Sequence, residues 1–199
     1  MANTTPAPKR RRRTAGGLVL FHGAGGDRDH RLFLVLEEQL GKPVARVNFP
    51  YREKGPGRRP PDRMPTLIET VNRAVAEAAV AWGIRPWRVA VGGRSMGGRA
   101  ASMAMAEGLN AAALVLLSYP LHPPGKPEKL RVDHFPQVTK PVLLVQGRKD
   151  PFGTPEEFAE HLPALGGPVT ELWVDGNHDP KPRDDEQIVA AVRAFLADL

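Results

Sequence analysis

The chain contains no cysteine in 199 residues. That absence excludes a disulfide framework, a thiolate metal site and a thiol nucleophile. Aromatic residues make up only 6%, and the six histidines are scattered, so no clustered imidazole site for a metal is expected. No apolar run approaches the roughly 20 residues of a membrane-spanning helix; the longest are strand-sized. Serine is scarce as well, occurring only at positions 95, 102 and 118.

Charge is unevenly placed. The formal net charge is +6, but Lys9-Arg10-Arg11-Arg12-Arg13 carries five of those charges. The remainder is close to neutral, so the folded part has no nucleic-acid footprint. Residues 1–15 are expected to be a disordered basic tail, for which contact with nucleic acid or an acidic membrane surface stays open. Leu18-Val19-Leu20-Phe21 is too short for a signal-peptide core, which makes cytoplasmic residence the expectation. A hydrophobic fraction of 41% and this length fit one globular domain over 16–199.

Strand and helix patterns alternate along the domain, which predicts a parallel, doubly wound α/β sheet. The expected strands are Gly17 to Phe21, Pro43 to Phe49, Arg88 to Val91, Ala111 to Leu117, Pro141 to Gln146 and Val169 to Val174. Helices are expected around Arg31 to Leu40, Thr66 to Trp82, Gly98 to Glu107, Pro155 to His161 and Asp184 to Ala197. The long helix carries Leu67, Val71, Ala74, Val75, Ala78 and Ala79 on one face. Six strands in the order 2-1-3-4-5-6 result.

Gly93-Arg94-Ser95-Met96-Gly97 is the most informative stretch. It reads Gly-x-Ser-x-Gly between an apolar strand and a strong helix former, the context of a nucleophile elbow. The turn is so tight that side chains at the two glycines would collide with neighbouring backbone. A serine hydroxyl needs a base, an orienting acid and an oxyanion hole. Asp150 follows one strand end in Gly147-Arg148-Lys149-Asp150, and His178 follows the next in Asp175-Gly176-Asn177-His178. Ser95, Asp150 and His178 therefore fall on three strand ends, in the chain order Ser, Asp, His.

Other assignments compete. His122 is the leading substitute for the base, because its loop should overhang the site. Asp175, Asp179 and, more distantly, Asp133 compete for the acid. His30, His134 and His161 read as surface or loop residues. The loop His22-Gly23-Ala24-Gly25-Gly26 follows the first strand, and its glycines let backbone approach a reacting carbonyl. The expected oxyanion donors are the amides of Ala24 and Met96. This loop matches neither the dinucleotide fingerprint nor a P-loop, so no nucleotide and no other cofactor is expected.

Taken together, these blocks resemble the α/β-hydrolase superfamily, and within it the small dienelactone-hydrolase-related branch that includes testis-expressed and NSL-complex-subunit homologues. The resemblance rests on His22-Gly23-Ala24-Gly25, Asn48-Phe49-Pro50-Tyr51-Arg52, Gly92 to Arg99, Tyr119 to Gly125 and Gly147 to Gly153, and it covers the chain from about Gly16 onward. It implies a compact α/β-hydrolase fold with no cap domain and a serine hydrolase acting on a small-molecule ester or thioester. Dienelactone hydrolases proper use cysteine, which this chain lacks, so their substrate is not carried over. Some eukaryotic relatives serve as complex subunits, which leaves a non-catalytic scaffold as the rival reading, and acyl transfer as a third.

Two loops are expected to set the substrate. Tyr51 to Pro65 carries Arg52, Arg58, Arg59 and Arg63 against Glu53 and Asp62. Tyr119 to Phe135 is stiffened by prolines; its Tyr119, Leu121, His122 and Phe135 either line an acyl pocket or plug the sheet edge. Arg99, four residues after Ser95, either holds an anionic substrate group or pairs with Glu107, Asp27 or Asp29. Arg94 reads as structural.

Overall fold

The computed structural model describes residues 14–54 and 59–199. The basic run 9–13 and Arg58 lie outside the described residues. Six strands alternate with helices: β1 Gly17–Phe21, α1 Arg31–Gln39, β2 Val44–Val47, α2 Pro50–Glu53, α3 Met64–Ala81, β3 Val89–Arg94, α4 Met96–Ala106, β4 Leu114–Leu117, β5 Val142–Gly147, α5 Pro155–His161, β6 Val169–Val174 and α6 Asp185–Ala197. The sheet order is β2-β1-β3-β4-β5-β6, and every pairing is parallel. This is the expected order, with all neighbours parallel rather than most of them.

Alternation along each central strand builds two core layers. Val19, Phe21, Val91, Leu114, Leu116, Val142 and Leu144 face one side, with α3, α4 and the segment after β4. Leu18, Leu20, Ala90, Val115, Leu117, Leu143 and Val145 face the other, with α1 and α6. Both faces are covered, which is why these strands are apolar throughout. Thr170 and Glu171 on the edge strand β6 are exposed, as an edge requires. No described helix is long and apolar enough to cross a membrane.

Several boundaries move. β2 and β4 are shorter than expected, because Pro43 precedes one and Ala111 to Ala113 only approach the other. Tyr51 to Glu53, expected as loop, belong to the helical turn Pro50–Glu53, started by Pro50 at a position where its missing N–H is not needed. Ala15, expected in the disordered tail, is buried, and its N–H donates to Leu196 O at 3.1 Å.

The order reverses between β1 and β3, and a crevice opens at the carboxyl ends of strands at such a switch point. The β1 loop and the β3 turn meet there. At Gly97 a Cβ would fall on the Phe21 carbonyl oxygen, and at Gly93 it would fall on the same atom. Helix α4 therefore lies against β1 backbone to backbone, helped by the buried Gly98, Ala100, Ala101 and Ala104.

In an ordinary helix Gly→Ala stabilises by up to ~1 kcal/mol. Here Gly97→Ala should instead destabilise by about 2 kcal/mol or more, as overpacking does. Gly25→Ala, where an added Cβ meets nothing within 4 Å, should shift stability by less than ~0.5 kcal/mol. Urea unfolding of the two variants beside the parent checks both.

Candidate active site

Ser95 sits between β3 and α4 with φ 51° and ψ −116°. A residue with a side chain rarely adopts a positive φ, and holding it there costs on the order of 1–3 kcal/mol. The surroundings fix it: Ser95 N–H donates to Leu117 O at 3.0 Å, and Ser95 O accepts from Arg99 N–H at 3.0 Å. The strained turn projects the hydroxyl at the N-terminus of α4, where free amides carry positive potential.

Three side chains converge. The Ser95 hydroxyl donates to His178 Nε2 at 2.8 Å. His178 Nδ1–H donates to Asp150 Oδ2 at 2.8 Å. Asp150 is 1% exposed, so an unsupported carboxylate there would be costly. It is supported twice more: Gln146 Nε2 donates to Oδ2 at 2.7 Å, and the Phe152 amide donates to Oδ1 at 2.9 Å. The Phe152 ring stacks on His178, centroids 4.1 Å apart. Sequence reasoning missed Gln146 and Phe152. The signal for Gln146 was a lone amide closing the apolar strand β5, four residues before Asp150.

The His178 loop is held from both sides. Gly147 lacks the Cβ that would strike Asn177 O, and Lys149 N–H donates to Gly176 O at 2.8 Å. Arg94 donates to His178 O at 3.1 Å and lies 3.4 Å from Asp179. Arg94 thus supports the loop's backbone rather than the cleft.

The competing residues are engaged elsewhere. Asp179 pairs with His30 and Arg94, and Asp175 with Lys149 and Arg183. His122 donates Nδ1–H to Pro123 O at 2.8 Å, and its Nε2 lies 3.2 Å from Glu157. A second Ser–His contact joins Ser102 and His134 at 2.7 Å. Ser102 is fully buried and donates its proton to Arg99 O at 2.8 Å, so its hydroxyl faces no cleft and the ring donates to it. Tyr119 and Leu121 do not line an opening either. Both are fully buried with Phe135 in the core, and Tyr119 Oη donates to Arg131 O at 2.6 Å. They plug the sheet, and burial keeps the phenol protonated.

The Met96 amide opens α4 directly after Ser95, and the β1 loop that carries Ala24 lies against the elbow, where a Cβ at Gly23 would come within 3.4 Å of Ser95 Cβ. Neither the Ala24 nor the Met96 amide donates to another group among the described residues. Two supports fix the loop. His22 is fully buried, donates Nδ1–H to Gly23 O at 2.8 Å and accepts the Phe49 amide at Nε2, 3.1 Å away. From the unanticipated α2, Tyr51 Oη donates to Ala24 O at 3.0 Å, and Arg52 donates to Gly25 O and Gly26 O. Burial lifts the Tyr51 phenol to about 12, so it stays a donor. Among the described residues no group of three His, Asp or Glu could hold a metal.

Three rings are kept neutral. Burial pulls His22, His30 and His134 below the usual 6.5, with His134, also under the field of Arg99, reaching about 4. Below about pH 6.5 the unfolded chain therefore binds protons that the folded chain refuses. Stability should be complete above that pH and decline as pH falls, with His134 contributing down to about 4. The lowered carboxylates Glu157 and Asp175 contribute stability that is fully present above the usual carboxylate range and is lost as pH falls through and below it, outside the pH 7 to 5 window. Urea midpoints should drop between pH 7 and pH 5, less steeply in His134→Asn; a flat profile would contradict neutral burial of these rings.

The alpha/beta hydrolase domain family matches residues 14–192. The esterase Est1E from Butyrivibrio proteoclasticus, solved with ferulic acid bound, shares the fold at TM-score 0.73 and 18% identity, over 96% of this chain and 92% of that one. Dienelactone hydrolase from Anabaena variabilis aligns at TM-score 0.70 and 20% identity, over 91% and 85%. The RedJ thioesterase of the prodiginine pathway in Streptomyces coelicolor aligns at 0.64 and 21%, over 98% and 91%. At such identities the neighbours speak for the fold alone. The family match spans nearly all the described residues, on a sheet of the order just given, and the chain belongs to the α/β-hydrolase family.

Proposed function

We propose that this chain is a serine hydrolase acting on the carbonyl of a small-molecule carboxylic ester or thioester, through a single domain over 16–199. The observation that carries the reading is the continuous hydrogen-bonded chain from Ser95 through His178 to the buried Asp150. Neighbours that are an esterase, a lipase and a thioesterase agree with it.

In this reading Ser95 Oγ forms a bond to the carbonyl carbon while its proton passes to His178 Nε2. The carbonyl π pair moves onto oxygen, and the amides of Ala24 and Met96 hold that oxyanion. Asp150 stabilises the imidazolium and keeps Nδ1 protonated, without taking the proton itself. The tetrahedral adduct collapses, the bond to the leaving group breaks, and His178 returns the proton to the departing alcohol or thiol. His178 then deprotonates a water that attacks the acyl-enzyme. A second collapse releases the acid and restores Ser95. No cofactor is required. The same acyl-enzyme permits transfer to an acceptor other than water.

Incubation with a fluorophosphonate should add one adduct mass to the wild type and none to Ser95→Ala. Turnover of 4-nitrophenyl butyrate should fall by ~10³-fold or more in both Ser95→Ala and His178→Ala. Absence of any adduct on folded wild type would favour a non-catalytic scaffold. A comparable loss only in His122→Ala would move the base to the segment after β4.

A further inference from the structure

Among the described residues, the guanidinium groups of Arg99 and Arg131 form no ion pair. Arg99 lies in the first turn of α4, four residues after the nucleophile, and its N–H donates to Ser95 O at 3.0 Å. Its side chain is part-buried, and Nε is fully enclosed with nothing to receive its hydrogen. The expected pairing with Glu107, Asp27 or Asp29 does not form: among the described residues no carboxylate bridges to Arg99. Arg131, from the segment after β4, is likewise part-buried and without an ion pair among the described residues.

The backbones beneath them are rigid. Arg131 is pinned twice, its N–H donating to Leu121 O at 2.9 Å and its carbonyl accepting from Tyr119 Oη at 2.6 Å. Arg99 lies within α4, and its carbonyl accepts from Ser102 Oγ, which His134 also contacts. The charges act on each other: burial and the neighbouring Arg99 both depress the Arg131 guanidinium. His134 feels the same field and stays neutral, while the acid bearing on it, Asp133, is exposed. Two arginines that repel one another, part-buried and without a counter-ion among the described residues, are unfavourable unless an anion neutralises them. A planar guanidinium fork matches carboxylate geometry, and two forks set at an angle can share one such group.

We propose that Arg99 and Arg131 form an anion subsite that holds a carboxylate on the acyl portion of the substrate, one helical turn from Ser95. This deepens the hydrolase reading and rests on it for the position of the ester, while the anion site itself can be read without turnover. A short dicarboxylic half-ester is the class that fits: its ester carbonyl at Ser95, its free carboxylate between the arginines. A neutral acyl chain of the same length would leave both charges unpaired.

The first test compares 4-nitrophenyl hemisuccinate with 4-nitrophenyl butyrate, acyl groups of similar length with and without the charge. Wild type should prefer the hemisuccinate in kcat/KM by about tenfold or more, and raised ionic strength should shrink the preference. Arg99→Gln and Arg131→Gln should each reduce the hemisuccinate-to-butyrate ratio by about tenfold, while Lys126→Gln, exposed in the same segment, should leave it unchanged. A ratio near one in wild type, or one indifferent to both arginine variants, would overturn the proposal. The second test needs no chemistry. Ser95→Ala protein should bind succinate by calorimetry, about tenfold more weakly when Arg99→Gln or Arg131→Gln is added. If no adduct forms at Ser95 yet succinate binding depends on the arginines, the hydrolase reading fails and the anion site stands. Absence of succinate binding would overturn the site, and tighter binding of inorganic phosphate would overturn its assignment to a carboxylate.

Discussion

The close approach of α4 to the end of β1 is the constraint on which the crevice depends. Gly93 and Gly97 leave no Cβ between the elbow and the Phe21 carbonyl, so the helix can begin against the sheet instead of above it. That contact forces Ser95 into a left-handed backbone and turns its hydroxyl out of the sheet. It also sets the next loop, because Phe21 is followed by His22, Gly23 and Ala24. A side chain at either glycine would push these two pieces of backbone apart. The strain at Ser95 is small against the buried apolar sheet that imposes it, since each fully buried leucine or valine is worth about 1.5–3 kcal/mol.

Around this contact the polar groups are arranged by exclusion of water. Asp150 lies almost wholly inside, and Gln146, the Phe152 amide and His178 supply the hydrogen bonds that water would otherwise give its oxygens. His22 lies wholly inside as a neutral ring, because one nitrogen must donate to Gly23 and the other must accept from Phe49. Both are buried polar groups satisfied within the protein, and both fix a loop next to Ser95. Arg94 does the same from the outside by holding the His178 carbonyl. Against this pattern the guanidinia of Arg99 and Arg131, without an ion pair among the described residues, stand out, which is why a ligand is proposed for them.

The segment after β4 takes the place that the resemblance assigns to a cap in larger relatives. Here Tyr119, Leu121 and Phe135 are pulled into the core and close the sheet. Only its polar residues are left to act on the crevice. With that apolar surface withdrawn into the core, the proposed Arg99–Arg131 subsite suits a small, charged acyl group.

Much of this was written in local sequence. The apolar runs and their alternation with helical patterns determined the parallel, doubly wound sheet, since strands joined by crossover helices and covered on both faces pair in parallel. The elbow was legible because its two glycines and serine fall within five consecutive residues, and Asp150 and His178 because each follows a recognisable strand end. What lay beyond the sequence depends on contacts between distant segments. Whether Tyr119 and His122 face a cleft or the core, whether Arg99 finds an acid, and that Gln146 and Phe152 brace the Asp150–His178 pair follow from how loops pack. Local pattern specifies which residues are apolar and where the chain turns; only the closed tertiary structure decides which polar groups are left with water, which with each other, and which with none.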